Sequence, residues 1–144
     1  KHLPEYIFQF GMGELPVPLI IHAPKLISPE VDHTFGSLPD LLPTIVGLFP
    51  QTYLNTSLGR DLAWAKGKNL PTYGFLQASR TSVAFNGDQI ASVNHVTGQV
   101  ISANIDDQGR ALMTKQNNPM VEAAKAYYLA SQYLLKANVE KSKK

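Results

Sequence analysis

Between Pro71 and Thr114 the chain is cut into short runs by residues suited to tight turns, and this punctuation limits the fold more than any other feature. Asn86-Gly87-Asp88, Thr97-Gly98 and Asp106-Asp107-Gln108-Gly109 carry hairpin-turn chemistry, because Gly, Asn and Asp tolerate the backbone angles of such turns. The runs between them, Tyr73 to Leu76, Thr81 to Phe85, Gln89 to Asn94, Gln99 to Ala103 and Ala111 to Thr114, read as strands with one apolar and one polar face. Joined by short turns, they predict an antiparallel meander. Asp88, Asp106 and Asp107 do not form a calcium loop, which needs spaced acids closed by a Glu, and are read as solvated turn acids. His95 stands among polar neighbours and is read as a surface residue.

After the meander, Asn118-Pro119 supplies a helix N-cap and a first-turn proline, with Glu122 near the positive helix end. The spacing of Met120, Ala123, Ala124, Tyr127, Ala130 or Ser131, Leu134 and Leu135 predicts a helix to about Asn138 that covers one face of the meander. Tyr127, Tyr128 and Tyr133 would suit sugar stacking, although aromatic residues at helical spacing more commonly build core. Val139 to Lys144 is expected to fray.

The first half has a different texture. Val17 to Ile21 is an apolar run between prolines, as expected of a strand buried on both faces. Tyr6, Phe8 and Phe10 alternate as in a strand or an extended lead-in, and Gly11 and Gly13 end it without making a phosphate loop, because Pro16 and Pro18 oppose a following helix. Lys25 to Gly36 reads as a loop. Ser37 to Asp40 matches a capping box, which gives Asp40 a structural role, and Leu41, Leu42, Ile45, Val46 and Phe49 form a helical stripe expected to pack on a sheet. Pro43 starts or loosens that helix, and Pro50 ends it. Gly59 permits a tight turn, and the Arg60 guanidinium beside it can fork onto a carboxylate or onto a substrate phosphate. Pinning the turn through a carboxylate is the commoner use. Asn55-Thr56-Ser57 fits a glycosylation sequon.

Composition removes several function classes. At 144 residues, 44% of them hydrophobic, the chain can bury one core. Its net charge is +2, and four of its thirteen basic residues, Lys136, Lys141, Lys143 and Lys144, fall at the C-terminus, so no basic face for nucleic acid is expected. Without cysteine there is neither disulfide nor thiolate chemistry. No apolar run is long enough to span a membrane, and the absence of an initiator Met suggests a piece of a longer chain. His22 and His33, with Asp32 and Asp40, are the cluster with metal-ligand residue types, but they lack a paired spacing such as HxxxH, and each histidine is more readily a strand end or a loop residue.

Three words in order, Val17-Pro18-Leu19-Ile20-Ile21-His22-Ala23-Pro24, then Asp40-Leu41-Leu42-Pro43-Thr44-Ile45-Val46-Gly47-Leu48, then Leu58-Gly59-Arg60-Asp61-Leu62, give this chain its likeness. They resemble the C-terminal end of the catalytic domain in the alkaline phosphatase/sulfatase superfamily, closest to the lipoteichoic-acid-synthase-like phosphoglycerol transferases. That resemblance implies a parent enzyme anchored by upstream transmembrane helices on the extracytoplasmic side of a bacterial inner membrane. Such an enzyme transfers or hydrolyses phosphoglycerol, phosphoethanolamine or related phospho- and sulfo-esters, with a divalent metal (Mn, Mg, Zn or Ca). In this family the nucleophile, a Thr in transferases or a modified Cys or Ser in sulfatases, and a metal-binding Asp-His pair lie upstream of the strand; Lys1 to Leu15 contains no Asp. Sulfatase relatives often carry His two positions before the Asp of the second word, where this chain has Leu38, a departure that argues against a sulfatase-type site and is tolerable in the transferase branch.

The expected architecture is α/β, with residues 1–70 as the edge of a doubly wound alkaline-phosphatase-like sheet and residues 71–144 as a small antiparallel sheet packed on a C-terminal helix. The chain alone is expected to lack catalytic residues and metal ligands, His22 and His33 being weak candidates, and Arg60 is the one candidate for substrate binding. The expected partner is the upstream part of the same domain, with self-association open to the isolated chain and no contact with nucleic acid or membrane. The alternative is a stand-alone module that binds a glycan or a protein.

Overall fold

The computed structural model describes residue 10, residues 18–114 and residues 118–141. Five strands, β1 (Gly74–Ala78), β2 (Thr81–Phe85), β3 (Gln89–Asn94), β4 (Val100–Ile105) and β5 (Ala111–Met113), form one antiparallel sheet in the order β1-β2-β3-β4-β5. The chain is therefore α/β, and the meander expected from the turn chemistry is present. Gly98 takes φ 73°, a left-handed angle that a β-branched residue would resist, and it lets the chain return between β3 and β4.

Register assigns each strand residue to a face. Ala84 opposes Ala91 and Ser82 opposes Val93, which puts these small side chains on one side. There they meet Met120 and Ala124 of the long helix α3 (Pro119–Lys141). Small residues on both surfaces let the helix lie close to the strands. The opposite side carries Val83, Ile90 and Ala103, packed with Phe10. Burying a side chain the size of Ile90 contributes about 1.5–3 kcal/mol. A polar second face for every strand was expected, but β2 and β3 each bury residues on both sides because α3 covers one face and Phe10 and Phe35 lie on the other.

Helix α3 starts as its cap predicts, with Asn118 Oδ1 accepting the Met120 N–H at 2.9 Å. Its other amide atom, Nδ2, donates to the Ile90 and Ala103 carbonyls, fastening the helix start to β3 and β4. The helix continues to Lys141, past the point where fraying was expected.

A 3-10 turn over Leu38–Asp40 leads into helix α1 (Leu41–Gly47), and helix α2 (Leu62–Gly67) follows the Gly-Arg-Asp turn. The apolar stripe of α1 was expected to pack on a sheet. Instead α1 buries Pro43 and Thr44 towards the start of α2, while Leu42 is 68% exposed and Phe49 50%. The five-strand sheet takes its helical cover from α3, which leaves that stripe open. The strand expected over Val17–Ile21 also differs: residues 18–21 pair with no strand, and Ile20 is 85% exposed. No neighbouring strand is offered to them within the described residues. Val17, and the expected lead-in over Tyr6 and Phe8 with its Gly11 and Gly13 turn, lie outside the described residues.

Candidate functional site

A dense polar constellation among the described residues joins the Asp40 and Arg60 segments of the sequence. Asp40, 2% exposed, ends the 3-10 turn and faces back towards the Gly-Arg-Asp turn. Its Oδ1 accepts the Arg60 backbone N–H at 2.7 Å and Nε at 3.1 Å, and its Oδ2 accepts Arg60 Nη2 at 2.9 Å and the Ser37 N–H at 2.8 Å. Both carboxylate oxygens are thus fully engaged. The second Nη2 proton goes to the Tyr73 carbonyl, just before β1, and the guanidinium lies 5.5 Å from the Phe75 ring centre. Phe75 is in turn stacked on Tyr127 of α3, with centroids 4.3 Å apart. Burial, with Asp40 adding to it, raises the Tyr127 phenol above its ordinary titration range.

Neighbouring groups lock the same clip. The Thr44 hydroxyl donates to the Asp40 carbonyl at 2.7 Å and accepts the Leu62 N–H at 3.1 Å, tying α1 to α2. The Ser37 hydroxyl accepts the Phe75 N–H at 2.5 Å, which ties the turn to β1. Asp61 caps α2 by accepting the Trp64 N–H. Gly59 was expected to serve a tight turn, yet its need is space: a Cβ there would lie 1.8 Å from the Pro39 carbonyl oxygen. Asn55 of the sequon organises the same loop, donating to the Gly59 carbonyl at 2.6 Å and accepting from Ser57.

Chemically, this arrangement is a closed clip. A general base or a metal ligand needs a carboxylate oxygen with an open lone pair, and Asp40 spends its oxygens on four donors. Arg60, its side chain 29% exposed, commits Nε and Nη2 within the protein, so the fork that would grip a phosphate is turned onto Asp40. The geometry therefore realises the turn-pinning use of this arginine.

His22 and His33 are both exposed and belong to the unpaired stretch before the 3-10 turn; no three His, Cys, Asp or Glu converge among the described residues. Asp32, beside His33, accepts from the Thr34 hydroxyl at 2.6 Å and from Lys66 at 2.9 Å. The Thr34 hydroxyl first, and Lys66 after it, hold its carboxyl down at about 2, and Lys66 itself is raised by Asp32 and then by Glu30. The described residues do not fit a divalent-metal site.

His95, read from sequence as a surface residue, is partly buried. Its Nε2 lies 2.7 Å from the hydroxyl of Ser82, which is fully buried and donates to the Ala124 carbonyl at 2.9 Å. Its ring is stacked on Tyr128 with centroids 3.6 Å apart. A serine beside a histidine invites a nucleophilic reading, but this hydroxyl is closed to solvent and its proton points at a carbonyl, away from the base. The signal in the sequence was faint: alternation in Ser82-Val83-Ala84 places Ser82 on the small-residue face that the helix covers.

Comparison with protein-family models, with curated proteins and with solved structures finds no match to this chain.

Proposed function

We propose that this chain is the C-terminal portion of a sulfatase-like phosphoglycerol or phosphoethanolamine transferase or hydrolase that acts on phospho- or sulfo-esters at the bacterial cell envelope. The observation that carries the reading is an uncharged apolar surface that stands exposed among the described residues. From Leu38 to Leu58 the one charged side chain is Asp40, and it is buried, while Leu42, Phe49 and Leu54 stand exposed. Lone exposed leucines are ordinary, but a run of them without charges marks a surface meant to be covered. The upstream α/β layers of the parent would cover it and would receive residues 17–21 as a strand. Support also comes from the Asp40–Arg60 clip, which joins two of the three words on which the family likeness rests.

In this reading the metal and the nucleophile belong to upstream residues, and this portion shapes one edge of the domain. The sequence encoded upstream of Lys1 then contains a Thr or Cys nucleophile and an Asp-His pair; their absence overturns the proposal. The chain alone, given phosphodiester or sulfate-ester chromogens with manganese, magnesium or zinc, gives no turnover above buffer. Turnover that is lost in His22→Ala or His33→Ala would contradict the reading directly.

A second reading, a glycan- or protein-binding module, draws on the outer side of α3, where Tyr133 is 73% exposed beside Leu129. Glycan-array binding that is lost in Tyr133→Ala would favour it.

A further inference from the structure

One side chain makes every polar tie between residues 18–34 and the rest of the described residues. None of residues 18–34 is buried, and their backbone hydrogen bonds stay within the segment, as where Leu26 and Ile27 donate to the Ala23 carbonyl. The hydrogen bonds and ion pairs that leave the segment run to Lys66 of α2, whose Nζ lies 3.3 Å from Glu30 Oε1 and 2.9 Å from Asp32 Oδ2. Asp32 is oriented for this grip, because the Thr34 N–H and hydroxyl both donate to Oδ1, at 2.8 and 2.6 Å, and leave Oδ2 to the lysine.

Firm attachment begins at the next residue. Phe35 sets its edge against Phe85 with centroids 5.8 Å apart, Gly36 lies so close to Leu62 that a Cβ would come within 2.5 Å of its Cδ1, and the Ser37 N–H is held by Asp40. Going back along the chain from there, the Lys66 grip is the last polar tie before Leu19, Ile20 and Ile21 among the described residues. Lys66 stands on a helix that is bound to the clip through the Leu62 N–H and the Thr44 hydroxyl, so the grip gives the segment a direction relative to that clip.

We propose that residues 18–34 form an arm steered by an electrostatic latch: Lys66, gripping Glu30 and Asp32, fixes the direction in which the Leu19–Ile21 run leaves the body, and breaking the grip lets the arm swing about Phe35 and Gly36. That the run is received by a strand edge in the upstream portion of the parent rests on the function proposed above; the latch itself does not. A run already held in one direction loses less freedom when it pairs with such an edge, so the grip prepares the arm for docking. All three side chains are exposed, Lys66 at 46%, Glu30 at 66% and Asp32 at 38%, so the grip is weak and is screened by salt. The arm is therefore steered at low ionic strength and swings freely at high ionic strength.

The test is NMR relaxation of the backbone amides of residues 30–34 in the full chain. Rigid backbone gives an order parameter of about 0.85 and flexible backbone one below about 0.6. The unmodified chain at about 0.05 M salt should give the rigid value, and either Lys66→Ala or about 1 M salt should bring it below the flexible limit, while Lys66→Arg should keep it. Glu30→Gln with Asp32→Asn releases the arm from the other side, and the amides of residues 74–113 report in the same spectra that the sheet is intact. Flexible values in the unmodified chain at low salt, rigid values in Lys66→Ala or in the double variant, or release in Lys66→Arg overturns the latch. None of these results bears on the parent enzyme, which the sequence upstream of Lys1 decides.

Discussion

A carboxylate buried with four donors leaves its neighbours little freedom, and Asp40 shows the cost of breaking such a set. Asp40→Asn keeps the shape but turns an amide nitrogen towards arginine donors, and it should lower stability by about 3 kcal/mol in urea unfolding. Arg60→Lys keeps the charge but loses the fork and the Tyr73 contact, and should cost about 1–2 kcal/mol. Asp32 gives a prediction in pH. Its folded value of about 2, against 3.8 for a free carboxyl, means that its contribution is present above pH 3.8 and is lost as pH falls through 2. Its side chain is 38% exposed, so the contribution is small and sensitive to salt. Because the Thr34 hydroxyl is the first cause and Lys66 adds to it, Thr34→Val and Lys66→Ala should each raise the Asp32 titration midpoint, as read by carboxyl NMR. From the sequence, Arg60 was legible as a fork that pins a turn. That its partner is Asp40, twenty positions earlier, was not, since residue type fixes what a group can bind and only the fold fixes what it meets.

At the level of elements, the second half of the chain was readable because its signals agree. Turn residues, strand alternation and the Asn118-Pro119 start all point to a meander backed by a helix, and each is a local property of the backbone. Helix α1 was legible in extent but not in position. An amphipathic stripe requires a cover without naming it, and here the sheet on offer was already taken by α3. The value of the α3 start is testable: Asn118→Ala removes the cap on the Met120 N–H and leaves the Ile90 and Ala103 carbonyls without that amide, which should cost about 2 kcal/mol in chemical denaturation. Asn118→Asp should preserve the cap and still lose those two carbonyl contacts, recovering only part of that loss.

Across the whole molecule, apolar side chains are shared unequally. Residues 74–124, with Phe10, build two hydrophobic clusters, one on each face of the sheet, whereas the buried apolar side chains within residues 18–70 are Ala65 and Pro43, and Ile20, Leu42 and Leu54 are displayed. The isolated chain should therefore self-associate at micromolar concentration in light scattering, and Ile20→Lys with Leu42→Lys should shift it towards monomer. A monomeric unmodified chain would mean that this surface needs no cover, which would favour the binding-module reading.

Strand order carries a further consequence, for the sequence of events in folding. Among the described residues every strand pairs only with its neighbours along the chain, so each hairpin closes a short loop and can form as soon as its two arms exist. The small-residue face of β2 and β3, in contrast, waits for Ala124, which a ribosome reaches more than thirty residues after Ala91. During synthesis the sheet is thus paired before it is roofed, and the interval in which Ala84 and Ala91 lie open to solvent is set by the time needed to translate β4, β5 and the start of α3.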